Sequence, residues 1–172
     1  RGEGGGGVRL PDFIIAGTQK AGTTWFRGAL FAHPDISGVT NQIHFFDRRY
    51  DKGLAWYTRH FEGLPDHALL GEKTTEYFDT VTAAPVAARM AQDCPAAKVI
   101  IILRDPVARA FSALKHMVTS GLEPLPDNPD EVLFADRERP VRASYRYIER
   151  GFYARQIEAF RAHVRPEQFL IL

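Results

Sequence analysis

The chain has 172 residues, of which 45% are hydrophobic, 12% aromatic and 25% charged, the make-up of one ordinary globular domain with a sizeable core. A net charge of +1 excludes a general cationic surface for nucleic acid, so any anion site must be local. One cysteine, Cys94, excludes an internal disulfide and a cysteine-built zinc cluster and fits a reducing compartment, while the lack of any apolar run of about 18 residues leaves nothing expected to span a membrane.

Residues Arg1 to Gly7 are glycine-rich without an apolar core, so they read as a flexible lead-in over 1–10 rather than a signal peptide, with one domain over 11–172. The first apolar run, Phe13–Ala16, predicts a strand, and Thr23–Ala32 predicts the helix that follows it. Between them lies Gly17-Thr18-Gln19-Lys20-Ala21-Gly22. Glycines let a backbone turn sharply and approach a ligand closely. Unpaired amides and the dipole at a helix start attract an anion. Thr23 and Thr24 add hydroxyl donors, and Lys20 adds a mobile positive charge. Gly17 and Gly22 are spaced as in an NTPase phosphate loop, but Thr23 stands where that loop carries its lysine. The displaced charge at Lys20 suits a nucleotide with a single 5′-phosphate and a group hanging from it.

Further along, Ile36–Val39 and Ala68–Leu70 predict strands, and Leu54–Phe61 and Pro85–Gln92 predict helices. The continuously apolar Val99–Leu103, within a strand expected over Lys98–Leu103, reads as buried on both faces. It leads through Arg104 and the plausible N-cap Asp105 into a helix over Pro106–Thr119. Asp105, Arg109, Ser112 and His116 step by helical spacing and share one face. Arg104 and Ser112 have the donor types to clamp a phosphate from two sides, and an NTPase would place a magnesium-binding aspartate where Arg104 stands. An arginine merely paired with Asp105 is the plainer alternative. Gly121–Pro140 holds four prolines and many acids and is expected to be a long surface loop, either a connector or a flap over an acceptor. A helix over Tyr145–His163, broken at Gly151, and a strand over Gln168–Leu172 complete the pattern. Strands alternating with helices predict an α/β fold, a phosphate-loop type of parallel sheet with helices on both faces. Ending on the core-like strand Phe169-Leu170-Ile171-Leu172, the domain is expected to lack a C-terminal part.

The segments GTQKAGTTWF, from Gly17, and LRDPVARAFSALKH, from Leu103, resemble the 5′-phosphosulfate loop and 3′-phosphate motif of sulfotransferases that use 3′-phosphoadenosine 5′-phosphosulfate (PAPS). Gln42-Ile43-His44-Phe45-Phe46-Asp47, Gly71-Glu72-Lys73-Thr74-Thr75-Glu76-Tyr77-Phe78, Gly53–Tyr57 and Glu149–Tyr153 are similar to the glycosaminoglycan, heparan sulfate-type branch. The resemblance implies a sulfotransferase that moves a sulfuryl group from PAPS to a hydroxyl or amine, with carbohydrate favoured, leaving 3′-phosphoadenosine 5′-phosphate (PAP) and needing no metal. It implies that Lys20 steadies the leaving oxygen, that Ala21, Gly22, Thr23, Thr24 and Trp25 cradle the phosphosulfate, that Arg104 and Ser112 hold the 3′-phosphate, and that Lys73 lies by the transferring group.

At one position the chain departs from that branch: Gln42 stands where a glutamate supplies the catalytic base, and a neutral amide cannot take a proton. Three accounts stay open: an engineered glutamate-to-glutamine change, His44 in the role, or a chain that has lost turnover. His44 is favoured as base or relay, since histidine titrates near neutrality. Asp47 then orients it or touches substrate, and Glu76 is the other carboxylate that can substitute if the fold brings it near. The rival readings are a phosphate-loop kinase or NTPase and a catalytically impaired, sulfotransferase-like binding protein. Alanine- and arginine-rich usage points to a bacterial cytoplasmic enzyme, with a lumenal catalytic domain as the alternative. No nucleic-acid partner is expected.

Overall fold

The computed structural model describes residues 9–134 and 146–172. The expected lead-in up to residue 8, the end of the expected loop over 135–140 and the helix start at Tyr145 lie outside the described residues.

Five parallel strands form one sheet, in the order β2-β3-β1-β4-β5. They are β1 (Phe13–Gly17), β2 (Ile36–Gly38), β3 (Leu69–Lys73), β4 (Lys98–Ile101) and β5 (Phe169–Ile171). The helices are α1 (Thr23–Phe31), α2 (Phe45–Arg48), α3 (Leu54–Thr58), α4 (Ala83–Asp93), α5 (Pro106–Thr119), α6 (Pro129–Phe134) and α7 (Tyr153–Arg161). Strand β1 lies in the middle, Phe13 pairing with Gly71 of β3 on one side and Lys98 of β4 on the other. All five of its residues are buried, as a strand covered on both faces requires.

Alternation along β1 builds two cores. Ile14 and Ala16 join Val99, Ile101 and Leu70 on the face covered by Phe45 and Phe46 of α2, Val86 and Met90 of α4, and Phe160 of α7. Phe13 and Ile15 point the other way with Ile100, against Phe26, Leu30 and Phe31. Gly71 lets this happen, because a Cβ there would lie 2.2 Å from the ring of Phe13.

All five expected strands form. Strand β3 runs three residues past the expected Leu70, to Lys73, because Gly71–Lys73 pair with Phe13–Ile15. A polar, glycine-containing stretch carries little strand signal by itself. Two short helices lie where none was expected. In α2 the end of the Gln42–Asp47 segment coils into a short helix whose two phenylalanines anchor in the core. In α6 part of the expected loop coils, since Asn128 accepts a hydrogen bond from the Asp130 amide, proline opens the first turn, and Leu133 packs against the α5 residues Ala110, Ala113 and Leu114.

One acid sits inside this apolar framework. Glu72 of β3 is fully buried and accepts hydrogen bonds from Tyr57 at 2.8 Å, Tyr77 at 3.3 Å and Thr74 at 3.3 Å. Burial pushes its carboxyl up to about 7, and the three hydroxyl donors hold the rise down. The folded value lies above the 4.5 of an exposed carboxyl, so the stabilisation from holding Glu72 protonated is complete below that point and is lost as pH rises through about 7. Glu72→Gln is therefore expected to gain on the wild type in unfolding free energy, by on the order of 3 kcal/mol between acid and mildly alkaline pH. Chemical denaturation of both proteins across pH 4.5–8 checks this, and a difference that stays flat with pH sinks the account.

Candidate active site

The C-terminal ends of β1, β3 and β4 open onto a single cleft of about 500 Å³. This is where open α/β sheets place their ligands, and here it follows from β1 being central.

Strand β1 delivers the first wall. After Gly17 the chain turns through Lys20, with φ of 68°, and Gly22, with φ of 84°, both left-handed. Gly22 occupies the N-cap of α1 without a capping side chain, and the first turn of α1 carries no acid. The amides of that turn are therefore uncompensated by protein and face the end of the loop. Gln19, Lys20, Gly22, Thr23 and Thr24 border the cleft. Gly17 itself packs under Phe78, where an added Cβ would meet the Phe78 Cβ at 2.4 Å.

Strand β4 delivers the second wall. Arg104 donates to the carbonyl of Lys20 at 3.1 Å, tying the two loops together, and Tyr153 donates to the Arg104 carbonyl at 2.9 Å. The N-terminus of α5 is already satisfied by Asp105, which accepts from the Ala108 amide at 2.7 Å. Arg104 and Ser112 border the cleft together with His116, which gives that residue of the expected helical face a place in the site. Arg109, from the same face, is wholly buried and donates instead to the carbonyl of Tyr147.

Strand β3 delivers the floor. Lys73 donates to the Thr24 hydroxyl at 3.2 Å, which bridges the first wall to the floor. Partial burial and the nearby Arg27 guanidinium push the Lys73 ammonium below the usual lysine range, against an opposing pull from Glu76. Thr75 and Glu76, in the turn after β3, border the cleft as well.

Gln42 reaches the cleft from the segment before α2. Its Oε1 accepts from the Thr75 amide at 2.9 Å and lies 3.1 Å from the Thr75 hydroxyl. A backbone amide only donates, so the atom facing it must be the oxygen, and Gln42 has N–H groups alone left to offer. His44, in a left-handed conformation with φ of 56°, sits beside this group without bordering the cleft. Its Nδ1 is 3.0 Å from Asp47 Oδ2, and its Nε2 is 3.9 Å from Glu76 Oε2.

Of the expected site residues, Lys20, Gly22, Thr23, Thr24, Gln42, Lys73, Glu76, Arg104 and Ser112 meet at one cleft. Ala21 lies in the loop between them, and His44 and Asp47 lie behind Glu76 and Gln42. Trp25 does not join them: its side chain is 77% exposed on the outer side of α1. Gln19, Thr75 and His116 border the cleft although none was singled out as a site residue. Gln19 and Thr75 sit inside the two loops that carry the chemistry, and only the tertiary turn after β3 shows that Thr75 aims its amide inward. Among the described residues, no group of three His, Cys, Asp or Glu side chains could hold a metal ion, and no helix is long and apolar enough to cross a membrane.

Comparison with known proteins bears on the family and the fold. A family model described as "Sulfotransferase domain" matches residues 10–172. The chain is 37% identical to the human heparan sulfate glucosamine 3-O-sulfotransferase 3B1, over 98% of this chain and 42% of that protein. It is 39% identical to the membrane-associated sulfotransferase kil1 of Dictyostelium discoideum, over 60% of this chain and 22% of that protein. The chain thus spans less than half the length of these curated relatives. The crystal structure of a sulfotransferase from Alicyclobacillus acidocaldarius superposes with a TM-score of 0.85 at 30% identity, covering 96% of this chain and 73% of that one.

The contact beneath Gly17 makes a specific demand on the first wall. Gly17→Ala is expected to force Phe78 and the loop apart at a cost of about 1–3 kcal/mol. Thermal unfolding of the variant should show a midpoint lowered by roughly 2–12 °C, and an unchanged midpoint contradicts the close packing described.

Proposed function

The chain belongs to the sulfotransferase domain family, and from that membership we propose that it transfers a sulfuryl group from PAPS to a hydroxyl of a carbohydrate acceptor. The observation that carries the reading is the convergence of Lys20, Lys73, Arg104 and Ser112 with the uncapped start of α1 on one cleft. Three cationic side chains and a helix start free of acid fit a donor with two separate anionic groups. The carbohydrate acceptor is supported by the relatives named for heparan sulfate glucosamine 3-O-sulfation. A nucleoside triphosphate with magnesium fits less well, because Leu103 and Arg104 follow β4 where a metal-binding acid would be needed.

In this reading the chain's residues mainly align the partners and offset charge. The amides of the α1 turn, with the Thr23 and Thr24 hydroxyls, hold the 5′-phosphosulfate. Arg104 and Ser112 hold the 3′-phosphate across the cleft, and the bond from Arg104 to the Lys20 carbonyl keeps the two anion sites in register. The acceptor oxygen attacks sulfur from the side opposite the leaving phosphate. As the sulfur–oxygen bond to that phosphate breaks, Lys20 and the α1 dipole offset its growing negative charge. Lys73, tethered to Thr24, steadies the equatorial oxygens of the transferring group.

Calorimetry with PAP, against ATP and Mg²⁺ as the control, tests the donor class. Binding of PAP without binding of ATP·Mg²⁺ is expected. Lys20→Ala should lower sulfuryl transfer by about 100-fold or more, in line with loss of one preorganised charge partner. Preferential ATP·Mg²⁺ binding, or full transfer by Lys20→Ala, would falsify the reading.

A further inference from the structure

The proposed transfer requires a group to accept the acceptor's proton, and Gln42 is not one. Its oxygen is occupied by the Thr75 amide at 2.9 Å, and an amide nitrogen has no basic lone pair. His44 does not border the cleft. Its Nδ1 faces the Asp47 carboxylate at 3.0 Å, which can only accept, so that nitrogen carries a proton and is spent. Its other nitrogen is turned toward Glu76 at 3.9 Å.

Among the described residues, Glu76 is the carboxylate that borders the cleft, on the same floor as Lys73 and beside Gln42. Its carboxylate lies beside the Thr75 hydroxyl, with His44 Nε2 3.9 Å away. The Thr75 hydroxyl lies 3.2 Å from Glu76 Oε2 and 3.1 Å from Gln42 Oε1, so one proton is shared between the two side chains. That contact ties Glu76 to the position where the related enzymes of this branch are expected to carry their base. Only Thr74 and Thr75 separate Glu76 from Lys73, and both side chains border the same cleft.

We propose that Glu76 is the general base of this protein, the carboxylate having moved from position 42 on one side of the Thr75 hydroxyl to position 76 on the other. The inference rests on the sulfuryl-transfer reading and adds to it the fate of the proton. The acceptor's oxygen–hydrogen bond breaks as its new bond to sulfur forms, the proton passes to a Glu76 carboxylate oxygen, and PAP leaves with the electron pair of the broken sulfur–oxygen bond.

The test uses the intact protein, PAP calorimetry, and single-turnover transfer from radiolabelled PAPS to a desulfated heparin and to water. Glu76→Gln keeps the side chain's shape and is expected to lower transfer by about 100-fold or more, the usual share of a general base, with PAP affinity kept within about threefold. The exchanged variant Gln42→Glu/Glu76→Gln restores one carboxylate beside Thr75 and is expected to recover at least about tenfold of that loss. It also separates a lost base from a damaged fold. A fall of less than about tenfold in Glu76→Gln overturns the proposal, as does an exchanged variant no faster than the single one. Wild-type protein that binds PAP yet transfers nothing overturns it alone, while wild-type protein that binds no PAP brings down the donor reading beneath it.

Discussion

The structure depends on one unsatisfied electrostatic end. The start of α1 has no capping side chain and no acid in its first turn, and Gly22 turns the chain so that the amides of that turn stay open. A helix terminus left this way is a partial positive charge waiting for an anion. Position matters as much as charge. Because β1 is the central strand, the end of its loop is flanked on both sides by the ends of neighbouring strands. Whatever anion settles there is in reach of side chains from β3 and β4 without any long loop being needed.

The neighbouring loops are fastened to that end rather than merely near it. Arg104 grips the Lys20 carbonyl, Lys73 grips the Thr24 hydroxyl, and Thr75 grips Gln42. Beneath them Glu72 gathers the hydroxyls of Tyr57 and Tyr77, and Tyr77 in turn accepts from the Phe45 amide at 2.9 Å. A buried acid is a costly element of a core, and hydrogen-bond partners only limit that cost. The same partners lock the segment carrying His44 and Asp47 against the end of β3. The aromatic stack of Phe45 on Tyr57, with centroids 4.5 Å apart, packs the same junction from the apolar side. Most of the aromatic residues in the shared motifs therefore serve the scaffold of the cleft.

Much of this was legible in the sequence, and what was not has identifiable physical causes. Phe13–Gly22 announced strand, turn and helix start together, because glycine spacing and an apolar run are local signals. Pro106–Thr119 emerged with its expected ends, since Asp105 and Pro106 mark a helix start chemically. The extension of β3 through Glu72 and Lys73 was not legible, because its polar residues are satisfied only by Tyr57, Tyr77 and Thr24, which are distant in sequence. Arg109 shares a helical face with Ser112 and His116, yet it is wholly buried and does not border the cleft. Periodicity assigns a face but not the depth at which that face stops meeting solvent. Trp25 likewise sits one residue past Thr24 and points away, as the helical step of about 100° requires.

Gln42 shows why a missing carboxylate need not mean a broken site. The Thr75 amide requires an acceptor at that place, and an amide oxygen serves as well as a carboxylate oxygen. Two ionised carboxylates on either side of one threonine hydroxyl would repel each other and drive one of them to hold a proton. A glutamine at 42 removes that conflict while keeping the hydrogen bond. Among the described residues the cleft then holds a single glutamate, Glu76, from the same strand–turn unit as Lys73. With Glu76 as the proposed base, scaffold and proton transfer, which one glutamate would otherwise have to perform together, are divided between two residues: position 42 holds the turn and position 76 takes the proton.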